Sequence, residues 1–324
     1  MNRARHAFSI VIVTLAAAIL SVPAIAETIN VEVQSSSVER DKLTNDVVVT
    51  IELTPDGKIA FEAFTQRNVG RNIEVRVGST VLLKARLVEK ISGEPLDVYV
   101  QDHIFAPLGL TDTRYLPAVK SCGPRRIVGN AVVYDRSGSP TDCADGWWDS
   151  DLIPRIAPTS HDDDSPGVNP DFGRLIRGTV HDPTARRMGG VAGSAGVFST
   201  APDLGTYAQA LLDRRAGRPS SFPLKQSTVE MMTTPQQPDS VTSESRGFGW
   251  DIDTAYSRPR GTVFPVGSFG HVGFTGVSMW LDPGSNSYVI ILANVIHQPG
   301  GPPIVTLSGN VATAAARALH LYGS

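Results

Sequence analysis

The stretch Gly270-His271-Val272-Gly273-Phe274-Thr275-Gly276 constrains this chain more than any other. It reads as a strand that ends at glycines. Val277-Ser278-Met279-Trp280-Leu281 is a second strand, closing at Asp282-Pro283-Gly284, and Tyr288 to Asn294 is a third that is apolar almost throughout. A strand buried on both faces needs such a run, because neither face meets water. Three consecutive strands joined by short turns predict an antiparallel sheet. Gly273 and Gly276 carry no Cβ, so another backbone or a substrate can approach the strand end closely, which marks it as a candidate site.

The same segment resembles the serine β-lactamase and penicillin-binding-protein superfamily, in which a Lys-Thr-Gly or His-Thr-Gly strand borders the acyl-transfer pocket. His271-Val272-Gly273 stands at that place, with Val272 where the family usually has a hydroxyl. The resemblance extends through Arg246-Gly247-Phe248-Gly249-Trp250-Asp251, Val180-His181-Asp182, Gly189 to Thr200, and Phe105-Ala106-Pro107-Leu108-Gly109-Leu110. It covers about residues 90–324 and is to the C-terminal two thirds of an esterase-like, class C type hydrolase. It implies a partial α/β/α sandwich with an antiparallel sheet, acting on an ester, amide or peptidoglycan-like ligand without a cofactor. By resemblance, His271 is an acid/base or substrate-binding group and the Phe274 backbone N–H an oxyanion donor. Gly273, Thr275, Gly276 and His181 would contact substrate, and His181-Asp182 would hold the pocket loop.

Acyl transfer in this superfamily requires a serine whose proton is taken by a lysine one helical turn later, since residues i and i+3 share a helix face. No lysine here has that partner. Lys42, Lys58, Lys84, Lys90, Lys120 and Lys225 are preceded three positions earlier by Glu39, Pro55, Val81, Leu87, Pro117 and Phe222. A tyrosine motif upstream of residue 94 is also missing, Tyr99 being the first tyrosine. Ser194 lacks the upstream glycine of a Gly-x-Ser-x-Gly elbow, having Ala192 there, and Ser278 has no partner fixed by spacing. The resemblance therefore implies a hydrolase without its nucleophile, inactive or severely impaired. The alternative is a periplasmic binding or interaction protein.

The preceding part has a different origin. Arg3 and Arg5 lead an apolar run from Phe8 to Leu20, and Ala24-Ile25-Ala26 supplies the small residues of a cleavage site. Residues 1–26 are thus expected to be a signal peptide, the mature chain starting at Glu27 and being periplasmic or secreted, with no stable membrane anchor. Residues 28–36 and 47–53 alternate as strands, Pro55 opens a helix, and Ile73 to Leu83 reads as a hairpin. This ββαββ unit, residues 27–93, resembles the periplasmic head of the SecD translocase subunit through Leu53-Thr54-Pro55-Asp56-Gly57 and Phe64 to Arg71. Residues 94–324 then form the hydrolase portion, opening with a helix, so the whole chain is of α+β class.

With 29 Lys and Arg against 32 Asp and Glu, no basic face is available for nucleic acid. His161-Asp162-Asp163-Asp164 and His181-Asp182 lack metal-ligand spacing and read as solvated loop charges and a structural motif. Cys122 and Cys143 close a loop rich in Gly, Pro and Asp that a disulfide would stabilise, two buried thiols being the alternative.

Overall fold

The computed structural model describes residues 9–15, 28–40, 47–67, 72–77, 80–86, 94–128, 131–137, 141–163, 166–168, 172–237, 244–297 and 304–324. The chain divides into two compact units, Met1–Pro95 and Leu96–Ser324.

The first unit contains β1 (Ser9–Leu15), β2 (Thr28–Arg40), β3 (Val47–Leu53), α1 (Pro55–Arg67), β4 (Asn72–Val77) and β5 (Thr80–Arg86). Its five-stranded sheet has the order β3-β2-β1-β4-β5, each neighbouring pair antiparallel. Helix α1 begins where the Thr54 hydroxyl accepts from the Gly57 amide at 3.1 Å, with Pro55 in a first turn that has no use for its missing N–H. Ile29, Val31 and Val33 alternate on β2 and meet Phe61 and Phe64, three apart on α1, in a small core. The strands, helix and hairpin read from sequence are present. The difference lies at the amino terminus. Ser9–Leu15, the middle of the run read as a leader, here forms the central strand, between β2 and β4. Its β-branched stretch Ile10-Val11-Ile12-Val13 suits a strand as well as a leader core.

The second unit opens with α2 (Leu96–Val100), whose last turn widens into a π-type turn over Gln101–Phe105. A loop region follows, tied by the Cys122–Cys143 disulfide. Trp148 is buried there with Leu116, Val132 and Ile153 and donates from its indole N–H to the Pro117 carbonyl at 2.8 Å, whereas Trp147 is exposed. Then come β6 (Ser160–His161), β7 (Leu175–Ile176), α3 (Pro183–Arg187), α4 (Ala201–Arg215) and α5 (Gln226–Met232). The principal sheet is built from β8 (Ser245–Arg246), β9 (Asp251–Asp253), β10 (Phe269–Val272), β11 (Ser278–Asp282) and β12 (Ser287–Ile291), and the last helix is α6 (Ile304–Ala318).

Sheet order follows chain order, β8-β9-β10-β11-β12. Phe269 pairs with Leu281, and Leu281 with Tyr288, so these three share one face and pack with Leu211 and Leu212 of α4. Gly270 pairs with Trp280, and Trp280 with Val289, so the next residues along share the opposite face, where Phe264 and Ala316 of α6 complete a second core. A side chain at 270 would collide with the Trp280 indole and the Met279 carbonyl, which is why that strand position is glycine. β12 lies between the two helices and is half-buried throughout, but it is the edge strand of the sheet.

Thr200 caps α4, its hydroxyl accepting from the Asp203 amide. The Asp203 carboxylate does not reach back to complete a capping box. It is buried and accepts from the Asp112 amide at 2.9 Å and the Thr113 hydroxyl at 2.7 Å, fastening the loop after α2 onto α4. The best hydrogen-bonding site for that carboxylate is tertiary, so tertiary structure overrides the local motif.

Candidate active site

β10 ends at Val272 and turns through Gly273–Gly276 into β11. The Gly273 amide donates to the Val277 carbonyl at 2.8 Å and the Gly276 amide to the Gly273 carbonyl at 2.9 Å. Gly276 has φ 108°, a conformation that disfavours any side chain. The two glycines leave room for neighbours of their own chain: a Cβ on Gly273 would meet the Val277 side chain, and one on Gly276 would lie 3.0 Å from Val295 Cγ2. The close approach that the missing Cβ atoms allow is made here by Val277 and Val295 of the same chain.

Three further segments close around the turn. The Val295 amide donates to the Thr275 carbonyl at 2.9 Å, which stitches the segment after β12 to the turn. The adjacent Asn294 side chain donates to the Pro158 carbonyl, which brings in β6. On β6, the Ser160 hydroxyl lies 2.8 Å from His181 Nδ1, and the His181 ring stacks on Phe274, with centroids 5.5 Å apart and planes 13° from parallel. The circuit returns to the turn.

Each histidine is held differently. His271, at the exposed end of β10, has Nδ1 2.7 Å from the Val272 carbonyl. A carbonyl only accepts, so Nδ1 carries the proton and Nε2 keeps its lone pair for a substrate. His181 precedes α3, whose N-terminus Asp182 caps by accepting from the Ala185 amide at 2.7 Å. Arg186 of that helix donates to the His181 carbonyl at 3.0 Å and forms an ion pair with Asp162. Asp162 is 1% exposed, so the expectation of solvated loop charges fails for it: this carboxylate is part of a buried pair that fixes the His181 backbone. His161 and His297 stack with centroids 6.0 Å apart. Among the described residues, no group of three or more His, Cys, Asp or Glu is arranged to hold a metal ion.

The amides of Phe274 and Thr275 have no hydrogen-bond acceptor among the described residues, and the Phe274 ring is 80% exposed. Among the described residues, Asn294 Oδ1 and His297 Nδ1 are buried in the same corner without a hydrogen-bond partner. Of the residues singled out from sequence, His271, Gly273, Phe274, Thr275, Gly276 and His181 therefore converge on one corner. Ser160, Asn294 and His297 were missed. Nothing in their local sequence marks them, because what brings them in is the folding-back of the loop and of the segment after β12.

A protein-family profile described as Beta-lactamase matches residues 78–303, more than half of the 324. The chain belongs to the beta-lactamase family. The match begins within the β4–β5 hairpin, upstream of the residue near 90 where the resemblance read from motifs starts. Among relatives of this beta-lactamase-family chain is a "Putative D-alanyl-D-alanine carboxypeptidase" of Escherichia coli O157:H7, 30% identical over 225 residues, 68% of this chain and 45% of that protein. Another is an N-acetylmuramyl-L-alanine amidase of Bacillus subtilis (strain 168), 29% identical over 221 residues, 67% of this chain and 43% of that one. The chain thus spans less than half the length of either relative. Similar solved structures include simvastatin synthase from Aspergillus terreus (20% identity, TM-score 0.45, 73% of this chain and 54% of that one). A beta-lactamase from Mycobacterium bovis is a second (19% identity, TM-score 0.40, 71% and 58%).

Proposed function

We propose that this protein is an exported, esterase-like member of the family that binds acyl-D-alanine-type peptides or related esters and amides at the His271–Gly276 corner, with severely impaired turnover. The observation that carries this reading is the pairing of a formed corner with an absent Ser-x-x-Lys. Among the described residues the turn amides of Phe274 and Thr275 have no acceptor, as a ligand carboxylate or carbonyl requires, and His271 Nε2 is left to accept from a ligand N–H or O–H. No lysine has a serine three residues before it. Loss of the nucleophile from such a site leaves only its binding and oxyanion contributions. The name of the Escherichia coli relative favours a peptide ending in D-alanine as the ligand.

The test is titration of the folded protein with an acyl-D-alanyl-D-alanine peptide. Saturable binding that weakens at least about tenfold in His271→Ala supports the reading. Equal affinity in wild type and His271→Ala removes the assignment of the site.

For residues 27–93 we propose the second role, a SecD-head-like interaction module. The unit has its own core around Val31 and Phe64, which an independent module needs.

A further inference from the structure

We propose that Ser160 and His181 form a nucleophile–base pair that gives the protein a slow acyl-transfer activity on activated esters, in place of the missing Ser-x-x-Lys. The inference rests on the reading of this corner as an acyl site. A serine hydroxyl 2.8 Å from an imidazole nitrogen is the arrangement an activated serine needs, provided that the imidazole is held in place. His181 is so held. Its ring lies flat on Phe274, and its carbonyl accepts from Arg186, which the buried Asp162 anchors two residues along from Ser160. Ser160 is fixed in turn by antiparallel pairing of β6 with Ile176 of β7.

In the reaction, the Ser160 hydroxyl donates its proton to His181 Nδ1 as Oγ bonds to the acyl carbon. The carbonyl electrons move onto oxygen, where the uncommitted turn amides of Phe274 and Thr275 are available donors. Collapse breaks the bond to the leaving alcohol, which takes the proton back from His181, leaving acyl-Ser160 and free alcohol. Water then enters by the same route, passing a proton through His181, and releases the carboxylic acid. No other co-reactant is needed. Two features make the pair slow: Ser160 is 3% exposed, so only small acyl groups reach it, and among the described residues no carboxylate is hydrogen-bonded to the His181 ring.

The experiment is incubation of the full chain with a small fluorophosphonate, followed by intact mass and peptide mapping. One adduct per chain on the peptide containing Ser160 is expected, with fluoride as leaving group, and its rate should fall at least tenfold in Ser160→Ala and in His181→Gln. No adduct, or an adduct that persists in Ser160→Ala, overturns the proposal. Should Ser160→Ala fail to fold by circular dichroism, Ser160→Cys decides. Both native cysteines are in the disulfide, so the introduced thiol is the sole free one. Alkylation of the folded protein that slows when His181→Gln is added supports the pair, and no alkylation overturns it. Peptide binding without a Ser160 adduct sinks this inference alone. A Ser160 adduct without peptide binding sinks the acyl-D-alanine reading alone.

Discussion

The imidazole of His181 and the ring of Phe274 are stacked face to face, centroids 5.5 Å apart, although they lie far apart in sequence and Phe274 is 80% exposed. An exposed aromatic at the tip of a turn contributes little to the core. What it contributes here is a wall for the imidazole. Phe274→Ala should cost no more than about 1.5 kcal/mol of stability, the scale of an aromatic pair, yet lower ligand affinity on the order of tenfold. Chemical denaturation and a ligand titration on the same variant check both parts.

Removal of one member of the Asp162–Arg186 pair should act in the opposite way. Arg186→Met takes a partner from a carboxylate that is 1% exposed and releases the His181 carbonyl, at a cost of about 3–5 kcal/mol. Urea denaturation gives the value, and an unchanged midpoint would contradict the burial argument.

The Cys122–Cys143 bridge joins residues 21 apart, with Cα atoms 5.1 Å from each other. Closure of a loop of that size removes chain entropy from the unfolded state worth about 3 kcal/mol. Cys122→Ala/Cys143→Ala should lose about that much, measured by thermal or urea denaturation under oxidising conditions.

Burial pushes the Tyr207 hydroxyl up to about 12, its ring packed edge-on against Phe222 with centroids 5.4 Å apart. An unfolded tyrosine ionises near about 10. Between these values the unfolded chain has lost a proton that the folded chain keeps, so stability must fall as pH rises through that window. Tyr115, raised by burial and then by Asp97, and Tyr322, raised by burial and then by its hydrogen bond to Asp282, act in the same direction. Urea midpoints measured from pH 9 to pH 11.5 should therefore drop, and less steeply in Tyr207→Phe.

Export and β1 compete for the same residues. Cleavage after Ala26 removes Ser9–Leu15, and with it the strand between β2 and β4. Both of these run antiparallel to β1 and so parallel to each other, and they can close up into the order β3-β2-β4-β5, with α1 in the crossover from β3 to β4. That is the ββαββ unit read from sequence. The protein recovered from a periplasmic fraction is expected to begin at Glu27, with β2 and β4 amides protected from exchange. Recovery with Met1 in place would contradict export and favour the six-element unit.

The legible parts of the sequence were those in which local pattern and burial agree. The alternation of Ile29, Val31 and Val33 and the glycines of the β10–β11 turn each produced the element expected, whereas the apolar run from Tyr288 forms the strand β12 but as a half-buried edge, not as a strand covered on both faces. Asp162 reads from its neighbours in sequence as a solvated loop charge, and its carboxylate instead takes a partner across the fold, as that of Asp203 does. Ser160 could not be singled out for the same reason: its meaning comes from His181, 21 residues on, which meets it only when β6 and α3 are in place.

The central claim is a formed acyl site without efficient turnover, and calorimetric titration with an acyl-D-alanyl-D-alanine peptide tests it most directly, because binding heat and the continuing heat of hydrolysis appear in one trace. The account predicts saturable binding, weakened about tenfold by His271→Ala, with turnover far below the roughly 1–1000 per second typical of enzymes. No binding heat, or sustained turnover within that range, would contradict it.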